Sequence, residues 1–297
     1  APDSPFVFEI TYRPTRSGAL ADTLDIFSDA PIRFGQQSVL LRGEGNSLSL
    51  EPTPPIHLGV YPVDLVVTQL DAVDGVDIAI IDSVTGRLHV LANDGGGEFP
   101  VSLRTTLPDD GAPYYAWSEP VTIDAGPIYN MTGPADLVIG DRVARSLSIL
   151  ANDGQGRFSG RRDDIYIGHH ISDLVVVDLD ADADRDIAVA NGPTSDTITL
   201  LYNDGQGNFS ARAVLGAQAG ASHIVAGHLD ADGYVDLAVA NRSANTVSVY
   251  LNDRNGSFAG AVHYLVGVAP GELSLADMDA DGHLDISVAS SSSRAIM

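Results

Sequence analysis

The stretch GVAPGELSLADMDADGHLDISVAS, residues 267–290, decides the reading of this chain. An apolar run enters a loop of alternating aspartates, and a second apolar run leaves it. Asp277, Asp279, Asp281 and Asp285 stand at positions 1, 3, 5 and 9 of that loop, with Gly282 at position 6 and His283 at position 7. Calcium takes six to eight oxygens from carboxylates, carbonyls and water. Alternate spacing in a tight loop turns successive carboxylates inward, Gly282 permits the sharp turn, and the His283 carbonyl would supply position 7. The logic is that of an EF-hand loop, but the flanks read as strands and the closing acid comes at position 9.

Working outward, the same loop recurs. It reads VVTQLDAVDGVDIAI from Val66, VVVDLDADADRDIAV from Val175 and VAGHLDADGYVDLAV from Val225, with a worn copy ending in PADLVIG at Gly140. Its closing aspartates are Asp77, Asp136, Asp186, Asp236 and Asp285, at intervals of 59, 50, 50 and 49 residues. A second marker keeps the same period: the turns NDGGGEF, NDGQGRF, NDGQGNF and NDRNGSF begin at Asn93, Asn152, Asn203 and Asn252. Each unit reads as four short strands. In the third copy these are Leu174–Asp178, Ile187–Asn191, Thr197–Tyr202 and Ser210–Leu215, Val/Ile/Leu-rich runs bounded by Gly/Asp/Asn turns. No helical period is sustained. Four-stranded units at this repeat length predict an all-β fold, a β-propeller in which neighbouring blades bury one another's faces.

Three loops have the residues for a cation, so about three calcium ions are expected. Besides the Asp277–Asp285 loop, the second offers Asp178, Asp180, Asp182 and Asp186. Ala183 replaces the turn glycine there, and Asp184 at position 7 would act through its carbonyl. The third offers Asp230, Asp232, the Tyr234 carbonyl and Asp236, but begins with His228, a poor calcium ligand. The first copy, with Gln69, Asp71, Val73 and Asp77, and the second, with only Asn130 and Asp136, are expected to be metal-free. The competing reading is that these aspartates only make Asx-turns and keep strand edges soluble. Clustered carboxylates without a cation would repel one another, which weakens that reading.

Composition agrees with cation binding. The chain carries 40 acidic and 16 basic residues, a formal net charge of -24, which argues against a nucleic-acid or anionic-membrane partner. Hydrophobic residues make up 44%, enough for a sizeable core, and no run has the length of a membrane-spanning helix. With no cysteine, disulfides and thiolate chemistry are excluded. No serine-nucleophile motif, phosphate-cradling loop or HExxH pattern is present, so the chain does not read as an enzyme. The pair His169-His170 is expected at the start of the third blade, on opposite faces of a strand, and Arg161-Arg162 beside Asp163-Asp164 is expected to be a solvated turn. An insertion near Thr106–Pro120 holds the only tryptophan, which either caps the core or meets a ligand. Phe99, Phe158, Phe209 and Phe258, which recur with the turns, are expected in the core.

On these residues the chain resembles the FG-GAP/VCBS repeat family, the repeats of integrin α-subunit propellers and of many bacterial surface proteins, from about Pro54 to Met297. That resemblance implies a propeller, often of seven blades, with calcium in loops of this kind and roles in adhesion or ligand recognition. Five repeats are visible here, and aligned on the fourth copy Met297 matches Ser248 in the middle of the third strand, so the end is expected either to be cut or to lack blades. Residues 1–46 stand outside the repeat, with strands expected near Phe6–Tyr12, Thr23–Ser28 and Gln37–Arg42. The pattern of strand, Pro, Gly, strand ending in SDAP and strand ending in GEG resembles the C-terminal half of Hydin-type, or choice-of-anchor D, immunoglobulin-like domains. The expected organisation is a partial immunoglobulin-like segment over 1–46 and propeller repeats over 47–297, with Asn46–Pro55 as linker. The expected function is a calcium-stabilised, secreted or surface-displayed bacterial module that recognises a protein or glycan. The alternatives are a lectin, or the non-catalytic propeller of a secreted polysaccharide-active enzyme.

Overall fold

A computed structural model describes residues 20–26, 37–43, 61–96, 98–100, 104–107, 117–158, 162–192, 195–290 and 295–296. The chain divides into two compact units, Ala1–Val60 and Tyr61–Met297. In the first, β1 (Leu20–Ile26) and β2 (Gln37–Gly43) form an antiparallel pair. The strand expected at Phe6–Tyr12 and the linker at Asn46–Pro55 lie outside the described residues.

The second unit is a series of antiparallel meanders, one per repeat. The first comprises β3 (Pro62–Thr68), β4 (Asp77–Asp82), β5 (Arg87–Leu91) and β6 (Arg104–Leu107), and the second β7 (Pro120–Gly126), β8 (Asp136–Asp141), β9 (Ser146–Leu150) and β10 (Arg162–Tyr166). The third comprises β11 (Ile171–Val177), β12 (Asp186–Asn191), β13 (Thr197–Tyr202) and β14 (Ala211–Gly216). The fourth comprises β15 (Ala221–Gly227), β16 (Asp236–Asn241), β17 (Thr246–Tyr250) and β18 (Val262–Leu265). The fifth sheet holds β19 (Pro270–Ala276), β20 (Asp285–Ser290) and β21 (Ala295–Ile296). The first strands of successive sheets, β3, β7, β11, β15 and β19, are neighbours. This is the arrangement of propeller blades around an axis, with each blade's first strand innermost. Among the described residues there is no helix, and so none long and apolar enough to cross a membrane.

Packing explains the sequence pattern. The second strands β8, β12 and β16 are buried at every position, because each is covered on both faces by adjoining blades. They are therefore apolar without alternation, as in DIAVAN and DLAVAN. The core lies between blades rather than within them. Leu137 and Ile139 of blade 2 pack with Ala79 and Ile81 of blade 1, Ile187 and Val189 of blade 3 with Val138 and Ile149 of blade 2, and Leu237 and Val239 of blade 4 with Ala188 and Leu200 of blade 3. Phe158 is buried in the first of these clusters, and Phe209 and Phe258 pack against the next two. Trp117, from the inserted stretch, is buried between blades 1 and 2, where its indole N–H donates to Ser148 Oγ at 3.0 Å. Residues 108–116 of that insertion, with both of its tyrosines, lie outside the described residues.

Two local expectations change. His169 and His170 occupy the bend before β11 rather than a strand, because Ile167 and Gly168 leave the ladder to bond the Arg145 carbonyl. Asp163 and Asp164 lie in β10, not in a solvated turn. Tyr129 donates its hydroxyl to Asp163 at 2.9 Å, and Ser148 donates to Asp164 at 2.6 Å, so both acids tie the outer strand to the blade interior.

Candidate metal centres

The acidic loops join the first and second strands of each blade, and one hydrogen-bond scaffold holds them. The closing aspartate accepts backbone N–H groups with both oxygens. Asp186 Oδ2 accepts from Leu179 and Oδ1 from Asn203, each at 2.8 Å. Asp77 does the same with Leu70 and Asn93, Asp136 with Ile128 and Asn152, and Asp236 with Leu229 and Asn252. Asp77 and Asp136 belong to the loops expected to lack metal. The closing aspartate is therefore an anchor in every complete blade, whether or not it also meets a cation.

A second contact ties each loop to the following blade. The side-chain amide of Asn152 donates to the Leu70 carbonyl, that of Asn203 to Ile128 and that of Asn252 to Leu179, at 2.8, 3.0 and 2.7 Å. The turn that begins with each asparagine thus sits on the preceding blade's loop. At Gly256, where φ is +78°, a Cβ would lie 2.7 Å from Asp180 Cβ, so only glycine lets the turn come so close. The recurring ND-x-x-G turn is an inter-blade staple as well as a hairpin.

On this scaffold the loops diverge. In two of them the structure gathers three carboxylates with oxygens within 4.8 Å of one another: Asp178, Asp180 and Asp186 in blade 3, and Asp277, Asp279 and Asp285 in blade 5. The first group is partly buried and the second is exposed. Position 1 organises both. Asp178 accepts the N–H groups of Ala181 and Ala183, and Asp277 those of Asp281 and Gly282. Ala181 and Ala280, at position 4, take positive φ of 63°, and Ala183, in the glycine position, takes 76°. Asp182 and Asp281 each spend one oxygen on an Asx-turn, accepting the N–H two residues ahead. The Asp184 side chain faces away from the loop, with its carboxylate 2.6 Å from where a Cβ on Gly205 would stand, leaving only its carbonyl for position 7.

The blade 4 loop keeps Asp230, Asp232 and Asp236 but does not gather them in this way. His228 Nδ1 donates to the Tyr234 carbonyl at 2.9 Å, so the expected position-7 ligand is already engaged. Asp232 also meets Arg254 Nε at 3.4 Å. Position 4 here, Ala231, is absent from the positive-φ conformations that its counterparts adopt. In blade 1 the position-1 residue is Gln69, whose amide donates to the carbonyls of Asp71, at 3.1 Å, and Val73. A donor at position 1 bonds the carbonyls inside the loop. An acid at position 1 bonds the N–H groups and turns negative charge inward.

The residues of the blade 3 loop fit a hard cation. Asp180 Oδ1 is buried without a hydrogen-bond partner, a costly state for an acceptor. Burial, then the neighbouring acids, raises Asp180 and Asp184 above the ordinary carboxylate range. Asp186 is pushed up to about 7, by burial in the first place, against its two backbone N–H bonds, with Asp180 and Asp182 adding to the rise. A divalent cation would reverse these strains by neutralising the charges that face one another.

The FG-GAP-like repeat pattern matches residues 178–239 and again 228–288, which span the loops of blades 3, 4 and 5. No curated protein matches the sequence. Two similar solved structures are crystals of BBS1N in complex with ARL6DN. One, soaked with mercury, has a TM-score of 0.55 at 13% identity over 94% of this chain and 71% of that one. The other, soaked with lead, has a TM-score of 0.54 at 13% identity over 97% of this chain and 83% of that one. Virginiamycin B lyase from Staphylococcus aureus follows at a TM-score of 0.49, with 12% identity over 80% of this chain and 69% of that one. At such identities the likeness is one of fold. With the blade topology, the likeness to the two BBS1N structures establishes a β-propeller, and its residues 178–288 carry FG-GAP-like repeats.

Proposed function

We propose that this chain is a calcium-stabilised, non-catalytic recognition module whose blades present loops to a protein or glycan, in an extracellular setting. The observation that carries the calcium part is the partnerless, buried Asp180 Oδ1 beside Asp178 and Asp186. Oxygen-only donors of this kind suit calcium better than zinc or copper, which favour nitrogen and sulfur. Asp178, Asp180 and Asp186, with the Asp184 carbonyl, would hold one ion, and Asp277, Asp279 and Asp285, with the His283 carbonyl, a second. The His228 loop takes a calcium-binding form only if His228 releases the Tyr234 carbonyl. The ion's role is to neutralise and tighten the loop, since Asp178, Asp186, Asp277, Asp279 and Asp285 already accept backbone N–H groups of the scaffold.

Support for recognition is architectural. Short rigid blades carry variable connections, and loops on rigid scaffolds are where binding residues concentrate. A similar fold takes part in the BBS1N–ARL6DN complex, which favours a protein partner. We read the N-terminal segment as part of an immunoglobulin-like domain.

Thermal unfolding in calcium and in excess chelator tests the calcium reading. A ligand that binds only the folded state adds about 2.7 kcal/mol at a hundredfold excess over its dissociation constant. A rise in melting temperature with calcium, absent with magnesium and lost in Asp180→Ala combined with Asp279→Ala, is expected. Identical melting in calcium and chelator would defeat the proposal.

A further inference from the structure

The innermost strand of every blade has a bulge near its start. Pairing slips between Pro62 and Asp64, Pro120 and Thr122, Ile171 and Asp173, Ala221 and His223, and Pro270 and Leu273. The bulge carries a polar residue at the third strand position: Asp64, Thr122, Asp173, His223 and Glu272. Three of the four seams between described blades close with a carboxylate. Asp64 Oδ2 accepts the Ile123 N–H of the next blade at 2.8 Å, and Asp173 Oδ2 accepts that of Ile224 at 2.9 Å. Blade 2 has Thr122 at the bulge, and Asp124, two residues on, accepts the Val176 N–H at 2.7 Å.

The fourth seam differs. Between blades 4 and 5 the acceptor is His223 Nδ1, which takes the Leu273 N–H at 3.2 Å. An Nδ1 that accepts a hydrogen bond carries no proton, so the ring in this conformation is the Nε2–H form. Its Nε2 lies 2.6 Å from Glu272 Oε2 and 3.6 Å from Asp173 Oδ2.

We propose that the seam between blades 4 and 5 is a proton-controlled clasp, closed while His223 Nδ1 is unprotonated and released when the ring takes a second proton. Protonation would put an N–H on Nδ1 opposite the N–H of Leu273, and two donors cannot bond. The Nε2–Glu272 contact survives, so blade 5 stays tethered through a side chain while its backbone is freed.

The groups facing the ring are Asp173 from β11, Glu272 from β19 and Asp64 from β3, and β15 itself bears no other charge. They oppose the Leu273 contact. Burial disfavours a charged ring, but Asp173, then Glu272 and Asp64, outweigh it and push His223 up to about 9. The contact decides the state in this conformation, because a protonated Nδ1 could not accept the Leu273 N–H. Two of the acids also yield charge readily. Burial, then Asp173, pushes Asp64 up to about 8, and burial raises Asp173. A ring pulled toward its charged form by acids and toward its neutral form by a backbone bond is a bistable element. The carboxylate-clasped seams have no such conflict, since a carboxyl oxygen keeps a lone pair for a backbone N–H whether or not the group is charged, whereas a protonated Nδ1 has none.

The test is NMR on the full chain, reading the His223 ring nitrogens and amide exchange at Leu273 across pH, with Ile123, Val176 and Ile224 as internal references. At pH values where Nδ1 is unprotonated, Leu273 should be protected as Ile224 is. As the ring gains its second proton, Leu273 should lose about tenfold in protection, the worth of one hydrogen bond, while the references hold. In His223→Asn, whose amide oxygen accepts at the same place without titrating, Leu273 protection should not follow pH. The proposal is overturned if Leu273 stays protected through ring protonation, or if all four amides lose protection together. It is equally overturned if the Asn variant keeps the pH-dependent loss, or if the ring never takes a second proton while the protein is folded.

Discussion

The loops Asp178–Asp186 and His228–Asp236 differ by little in sequence and share their scaffold. Each closes on a fully buried aspartate that accepts backbone N–H groups from both ends of its loop. The asparagine amide of the following turn pins the blade 3 loop from blade 4. Yet one loop gathers three carboxylates and the other does not. The difference begins at position 1. Asp178 bonds the loop's N–H groups, whereas His228 bonds the Tyr234 carbonyl. The repeat therefore has a hydrogen-bond frame shared by the four complete blades and, on the calcium proposal, a cation site that the position-1 side chain opens or closes. An aspartate that recurs in every repeat marks the frame, whether or not it also meets a cation.

The sharpest way to break this separation is to attack the frame. Asp236→Ala removes the acceptor of three N–H groups, those of Leu229 and Asp230, which are partly buried, and of Asn252, which is buried. It should cost about 3 kcal/mol in unfolding free energy, the same in calcium and in chelator. A loss that appears only in calcium would mean the closing acid is chiefly a ligand. Next in size is the site itself. Asp180→Ala should remove about half of the calcium-dependent stabilisation, on the order of 1.5–3 kcal/mol at saturating ion, while leaving stability in chelator unchanged or higher as a crowded charge is deleted. Asn252→Ala, which frees the Leu179 and Val235 carbonyls, should cost about 1–2 kcal/mol in urea unfolding with or without calcium. The smallest effect is at Ala183. Its φ of 76° suits glycine, so Ala183→Gly should stabilise by about 1 kcal/mol, seen as a higher denaturation midpoint in chelator.

Much of the frame was legible in the sequence because it repeats. The third-copy strands came within a few residues of β11–β14, and β13 matches the expected Thr197–Tyr202. The second strands, apolar between their terminal Asp and Asn residues, Gly282 at the turn and Phe158 in the core each follow from local pattern and burial. Phe209 and Phe258, by contrast, are only partly buried, and Phe99 joins none of the core clusters among the described residues. Position 1 was harder to read. That His228 is a poor calcium ligand is visible in the sequence, but that its ring reaches the Tyr234 carbonyl depends on a loop closing in space. The role of Asn203 and Asn252 was hidden because a turn former's side chain can also bond a residue 73 or 75 positions away. The clasp residues left a signal that could have been used: Asp64, Thr122, Asp173, His223 and Glu272 interrupt otherwise apolar first strands at intervals of 58, 51, 50 and 49 residues. A polar residue that recurs at one position of a partly buried strand marks a partner across the blade seam. His169-His170 and Asp163-Asp164 were misplaced because single-residue exits from a ladder, such as that at Ile167, have no sequence pattern of their own.

The most direct measurement is calcium stoichiometry by titration calorimetry on the wild-type chain and two exchanged variants. The two gathered loops predict two ions for the wild type. Asp178→His, which puts the blade 4 residue into blade 3, should leave one, and His228→Asp, which does the reverse, should add a third. Equal stoichiometry in all three proteins, with each variant folded by circular dichroism, would contradict the claim that position 1 decides which loops of the common frame hold a cation.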